Sequence, residues 1–129
     1  MRLLLDTHVL VRWMTEFRKL GKEQARELNL ADRRNERVAI SAITLWEIAQ
    51  LSAGSRLTFP DQILDVVEDD PSVVVLPLTA RIAREAASLR YVLRDPADCV
   101  IAATARVHGL RLLTSDQRII ESNVIATIA

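Results

Sequence analysis

The sequence predicts a single α/β domain, residues 1–129, with a mostly parallel central sheet of four to five strands and helices on both faces. Three observations carry this reading. Short apolar runs alternate with segments of helical period along the whole chain. The runs are apolar throughout, as in strands covered on both faces, and do not alternate with polar residues. A chain of 129 residues with no repeat, linker or charge block suits one core better than two.

Leu3-Leu4-Leu5 is the first apolar run and reads as a buried strand ending at Asp6. Thr7 to Met14 then starts a helix. Lys22 to Arg34 is a polar helix with Ala25, Leu28 and Ala31 on its inner face. Val38-Ala39-Ile40 is the second strand, and Ser41 offers a cap to a helix over Ala42 to Ala53 that Gly54 ends. Pro60 suits the first turn of the next helix, with Ile63, Val66 and Val67 inward. Val73 to Leu76 is a third strand. Thr79 caps a helix with the stripe Ile82, Ala83, Ala86 and Leu89. Asp95-Pro96 opens a helix to about His108 that Gly109 closes. Leu112-Leu113 is a fourth strand, a short helical turn follows Asp116, and Val124 to Ile128 offers a fifth strand.

The composition narrows the function. Half the residues are hydrophobic and 26% are charged, a globular balance and not a disordered one. Seventeen basic and 17 acidic residues give zero net charge, so any nucleic-acid partner must be held by a local patch. Fifteen of the 17 bases are arginine, the better fork for phosphate, although an arginine-rich genome gives the same bias. The lone Cys99 excludes an internal disulfide and a cysteine zinc site. Arg2, Asp6 and Arg12 interrupt the apolar start, and no apolar run approaches the ~20 residues of a membrane span, so a soluble cytoplasmic protein is expected.

In open α/β sheets, ligands bind beyond the carboxyl ends of the strands, where strand order reverses. Asp6 follows the first strand. Ser41 follows the second, with Glu47 two turns into the next helix. Asp98 lies in the first turn of the helix opened by Asp95, and Asp116 follows the fourth strand. Capping alone is an alternative explanation for Asp6, Ser41 and Asp116, and is the one assigned to Asp95. Glu47 lies in a helix apolar on nearly every side, with no Arg or Lys within a turn. It therefore reads as buried and in need of a partner, unless a solvated notch holds it. Carboxylates crowded together raise one another's pKa, and a hard divalent cation removes that cost. An oxygen-only donor set selects Mg²⁺ or Mn²⁺, and hydrolysis of a phosphodiester is a natural use of such a site.

Other chemistries are poorly served. No phosphate-binding glycine loop and no G-x-S-x-G elbow appears. His8 and His108 show no zinc-ligand spacing. His8 borders the candidate site but reads better as a satisfied or exposed side chain.

Four segments together resemble the PIN-domain ribonucleases, and among them the VapC-type toxins of bacterial and archaeal toxin–antitoxin pairs. They are MRLLLDTHVLVRW from Met1, SAITLWEI from Ser41, DPADCVIAATA from Asp95 and LLTSD from Leu112. The resemblance spans nearly the whole chain in the family's order. It implies a PIN fold in which Asp6, Glu47, Asp98 and Asp116 form the acidic metal site. Asp6 and Asp98 would be direct ligands, Glu47 and Asp116 direct or water-mediated ones, and Ser41 an accessory polar residue. It further implies one or two Mg²⁺ or Mn²⁺ ions and attack by water on RNA, leaving 5′-phosphate and 3′-hydroxyl ends. A VapB-type antitoxin, a homodimer and a cytoplasmic setting are implied as well. Cys99 departs from the pattern, standing where the family often has arginine. Arg90 and Arg94 are candidates to restore that charge as RNA contacts, with a solvated surface role as the alternative. Two other readings compete: a catalytically silent PIN-like domain that binds RNA or protein, and a phospho-acceptor domain. The latter lacks its acidic pair at Asp6 and a late lysine, since only Lys19 and Lys22 occur.

Overall fold

The computed structural model describes residues 1–53 and 59–129. In chain order the elements are β1 (Leu3–Leu5), α1 (Thr7–Thr15), a 3₁₀ turn (Phe17–Lys19), α2 (Lys22–Arg33), β2 (Val38–Ser41), α3 (Ala42–Ala53) and α4 (Phe59–Asp69). Then come β3 (Val73–Leu76), α5 (Ala80–Ser88), α6 (Pro96–His108), β4 (Arg111–Leu113), α7 (Gln117–Ser122) and β5 (Thr127–Ile128). The five strands form one sheet in the order β3-β2-β1-β4-β5, and every pairing is parallel. β1 is central, with Leu4 opposite both Ala39 and Leu112. Strand order reverses there: successive strands run to one side through β2 and β3, then to the other through β4 and β5.

The all-apolar strands are explained by a core on each face. Leu3, Leu5, Val38, Ile40, Val73 and Leu113 pack with Val9, Leu10, Leu28, Ile48, Ile63 and Val67 from α1 to α4. Leu4, Ala39, Leu76 and Leu112 point the other way, against Ile82, Ala86, Ile101, Ala102, Ala105 and Ile119 from α5 to α7. The alternation follows the period-two pleat. The alanines of α6 let that helix lie close to the sheet.

Local signals fix the helix ends. The Thr79 side chain accepts from Ile82 N at 3.2 Å and starts α5. Asp95 caps α6 with Pro96 in its first turn, and Gly109 ends it at φ +66°, a conformation glycine adopts without strain. Pro60 is the second residue of α4. Gly54, expected to end α3, lies outside the described residues.

Several inner faces differ from the expected ones. Val66 is 49% exposed and Ala83 is exposed, because α4 and α5 bury narrower stripes centred on Ile63 and Val67, and on Ile82 and Ala86. In α2 the fully buried first-turn residue is Gln24, with Ala25 only half-buried. The Gln24 amide donates to Ile128 O at 3.1 Å and to Ser115 Oγ at 3.2 Å, while its carbonyl accepts from Gly21 N at 3.0 Å. A polar side chain is tolerated there because it is fully bonded. β5 is shorter than expected, since Asn123 takes a left-handed conformation to end α7 and the chain rejoins the sheet only at Thr127. Among the described residues no helix is long and apolar enough to cross a membrane.

Candidate active site

The reversal of strand order places the ends of β1 and β4 side by side, and Asp6 N donates to Leu113 O at 3.0 Å just beyond both strands. A cleft of about 460 Å³ opens at this edge, and Asp6, Glu47, Asp95, Asp98 and Asp116 all line it. Thr7, His8, Arg12, Glu16, Lys19 and Arg118 complete its polar walls.

Asp6 is 4% exposed and caps α1, its Oδ1 accepting from Thr7 N at 2.8 Å. Its Oδ2 accepts from the Thr114 hydroxyl at 2.7 Å, and His8 Nδ1 stands 3.5 Å from the same oxygen. His8 Nε2 accepts from Ser115 N at 2.9 Å, which puts the ring proton on Nδ1, facing Asp6. Burial depresses the pKa of His8, against the pull of Asp6, and favours this neutral form. Thr114 is itself fully buried, and its Oγ1 also accepts from Asp116 N at 3.1 Å. Asp6 and Asp116 are thus fixed by one threonine at the end of β4.

Asp116 caps α7 through Arg118 N at 2.9 Å. The Arg118 guanidinium grips it at both oxygens, Nε to Oδ1 at 3.3 Å and Nη2 to Oδ2 at 3.0 Å. That pair holds the Asp116 carboxyl below its ordinary pKa. Asp98 behaves oppositely. It is the third residue of α6, partly buried, and among the described residues its carboxylate meets only Arg118 Nη2, distantly at 3.9 Å. Burial raises its pKa first, and Asp95, Asp6, Asp116 and Glu47 raise it further, to about 7. Four other carboxylates thus act on Asp98.

Glu47 is half-buried in α3, whose inner stripe is Thr44 and Ile48, while Trp46 is 59% exposed. The sequence-based expectation of a buried Glu47 is corrected on this point: α3 presents Glu47 and Leu51 to the cleft and turns the apolar Trp46 to solvent. The Thr7 hydroxyl donates to Glu47 Oε1 at 2.5 Å. With that proton committed, Thr44 donates to Thr7 Oγ1 across 3.1 Å. Burial raises the Glu47 pKa more than the Thr7 bond lowers it.

The structure therefore brings Asp6, Glu47, Asp98 and Asp116 together. Ser41 is buried and caps α3 through Ile43 N at 3.2 Å, without lining the cleft. Arg90 and Arg94 do not line it either: Arg90 lies 4.5 Å over the Tyr91 ring and donates to its hydroxyl. Cys99 points into the core, its thiol donating to Leu93 O at 2.7 Å. His8 borders the site as a satisfied side chain, as expected, and Asp95 caps α6 as expected but also lines the cleft. Thr114 and Arg118 had no signal beyond lying two residues either side of Asp116.

The donors suit a hard divalent cation, because they are all oxygen and because burial, together with the neighbouring carboxylates, raises the Asp98 pKa to about 7. Among the described residues no three His, Cys, Asp or Glu side chains are grouped closely enough to hold an ion as they stand. The reason is visible in the bonds: Arg118 holds Asp116, while Thr7, Thr114 and His8 hold Asp6. The ligand set is assembled along one cleft but not closed on one point.

Comparison with known proteins identifies the fold family. A family model described as PIN domain matches residues 3–123. "Ribonuclease VapC22" of Mycobacterium tuberculosis is 32% identical over 118 residues, covering 90% of this chain and 88% of that protein. A chain in the crystal structure of FitAcB from Neisseria gonorrhoeae is matched over 98% of this one and 96% of its own length, at a TM-score of 0.71 and 25% identity. VapBC2 from Rickettsia felis, bound to a DNA fragment from its promoter, matches over 99% and 98% at a TM-score of 0.77. At 19% identity that likeness shows the fold alone.

Proposed function

Because the chain belongs to the PIN-domain family and is a relative of the VapC ribonucleases, we propose that it is a Mg²⁺- or Mn²⁺-dependent endoribonuclease toxin. It hydrolyses RNA phosphodiester bonds and is neutralised by a VapB-type antitoxin. The observation that carries the reading is the convergence of Asp6, Glu47, Asp98 and Asp116 on one cleft, with Asp98 at the focus of their repulsion. A binding scaffold has no reason to keep carboxylates where they destabilise one another.

Asp6 and Asp98 would hold the cation directly, with Asp116 and Glu47 beside them, whether for one ion or two. A divalent cation there would neutralise these carboxylates and lower the pKa of water for in-line attack on phosphorus. Thr114 and His8 orient the Asp6 carboxylate at the end of β1. Thr7 occupies Glu47 Oε1, so Oε2 is the atom left to take a proton from the attacking water, and the raised pKa of Glu47 suits that task. The water oxygen bonds to phosphorus, the P–O3′ bond breaks, and the departing O3′ takes a proton from solvent, so the ends are 5′-phosphate and 3′-hydroxyl. The relation to VapC22 supports the antitoxin partner that the resemblance to VapC-type toxins implies. A homodimer and a cytoplasmic setting belong to the same proposal.

The test is a Mn²⁺ titration of the antitoxin-free protein by calorimetry and thermal melting, followed by end mapping of RNA exposed to it. Binding should raise the melting temperature by mass action, and Asp6→Asn or Asp98→Asn should abolish the rise. If the wild type takes no metal, the hydrolytic reading fails and the chain is a PIN-like binding domain.

A further inference from the structure

The geometry points to Arg118 as a phosphate-binding residue held in reserve: it sits on Asp116 and Asp98 until a divalent cation displaces it, and then meets the RNA phosphate. The inference rests on the proposed metal-dependent hydrolysis. Arg118 lines the same cleft as the carboxylates, yet its side chain is 77% exposed. It forks onto both oxygens of Asp116 and reaches to 3.9 Å from Asp98. These are two of the four residues that would surround a cation, so guanidinium and cation compete for the same charge.

The competition favours the cation. An exposed arginine–carboxylate pair is weak, because water screens it and ordering the long side chain costs entropy. A divalent ion brings twice the charge without that entropy cost. The guanidinium stays protonated at any working pH, so once released it remains a cation with five N–H donors. Its backbone is anchored next to the site by α7, whose cap is Asp116 itself. An RNA phosphate beside the cation is the anion within reach, and a planar fork matches its oxygens. Arg12 and Lys19 also line the cleft, but neither is paired with Asp98 or Asp116.

Two measurements on the RNA-free protein test the exchange. Mg²⁺ is titrated into wild type and Arg118→Ala by calorimetry, and the Arg118 Nε–H resonance is followed by NMR in the wild type. Arg118→Ala should bind Mg²⁺ about two- to fivefold more tightly, the range set by an exposed ion pair. In the wild type the Nε–H signal should move on saturation and lose its protection from exchange. A third measurement uses a short single-stranded oligoribonucleotide that the wild type leaves uncut. In saturating Mg²⁺, Arg118→Ala should bind it about tenfold more weakly and with a salt slope reduced by about one. Equal Mg²⁺ affinity in the two proteins, an unmoved Nε–H signal, or unchanged oligoribonucleotide binding overturns the inference while leaving the metal site intact. If neither protein binds Mg²⁺, the metal-dependent reading itself falls.

Discussion

Replacing Asp98 by asparagine should stabilise the metal-free protein at neutral and alkaline pH. The folded-state pKa of Asp98 is raised to about 7, against 3.8 as the ordinary value. A carboxyl raised in this way keeps its proton in the folded state where the unfolded chain has already released it. Its contribution to stability is therefore full below the unfolded value and is lost as pH rises towards 7. At ~1.36 kcal/mol per unit, the full difference would be about 4 kcal/mol. Water in the open cleft screens that, and the ionised form at the third position of α6 regains about 0.3–1 kcal/mol from the helix dipole. An advantage of about 1–2 kcal/mol for Asp98→Asn remains, or a rise of about 4–7 °C in melting temperature for a chain of this length. The assay is urea denaturation of both proteins in a chelator, from pH 5 to 8.5. Their difference should grow up to about pH 7 and then level. With Mn²⁺ the order should invert, because only the wild type gains by mass action. A variant less stable than the wild type at pH 8 without metal would refute the reasoning, and would make Asp98 a helix-dipole residue.

Three further outcomes follow from the same contacts. Glu47→Gln keeps an acceptor for the Thr7 hydroxyl, so melting should shift by less than about 0.5 kcal/mol equivalent, while single-turnover cleavage of RNA should slow about 10²- to 10⁴-fold. Thr114→Val removes the donor to Asp6 and the acceptor of Asp116 N–H in a buried position, and denaturation should show a loss of about 1–3 kcal/mol. Gly21→Ala would put a Cβ 2.7 Å from the carbonyl oxygen of Ala129 and 3.4 Å from Gln24. A backbone atom must give way there, so the loss should be about 1–3 kcal/mol and hydrogen exchange should show the end of β5 loosened.

The fold was legible because its signals are local or periodic. The apolar runs at Leu3–Leu5 and Val38–Ile40 are strands because both faces are covered, and Thr79, Asp95 and Gly109 mark helix ends by their own chemistry. Width of burial was less legible. Nothing local says that Val66 stays exposed while Ile63 and Val67 are buried, since that depends on how far α4 leans over the sheet. Gln24 is illegible for the same reason: its partners, Ser115 and Ile128, lie 91 and 104 residues away. The convergence of Asp6, Asp98 and Asp116 was legible because each stands at a strand end or in a first helical turn that the parallel topology brings to one edge, and Glu47 stood out as a carboxylate in an otherwise apolar helix. Thr114 and Arg118 were not, because their roles are defined only by what they touch.

The choice posed by the sequence, cap or site, dissolves in the structure. Asp6, Asp95 and Asp116 are N-caps of α1, α6 and α7, and all three line the cleft. A helix N-terminus offers backbone N–H groups and a partial positive charge, so a capping carboxylate is held in place without any metal. Three helices that begin at the same sheet edge can therefore carry three carboxylates into one cleft, each anchored by its own helix. Asp98 has no such anchor of its own: Asp95 takes the N–H of Asp98, and the Arg118 contact is distant. Burial first, and then the repulsion that the caps leave unresolved, fall on Asp98, whose pKa carries the large upward shift. Metal-free stability and readiness for a cation are thus divided between residues. If the division is correct, Asp95→Asn should keep the cap, remove one of the charges acting on Asp98, and lower the Asp98 pKa from about 7. Carbon-detected NMR titration of the Asp98 carboxyl in chelator would show it. An unchanged midpoint would mean that burial alone sets the shift and that the carboxylates do not act on one another as a set.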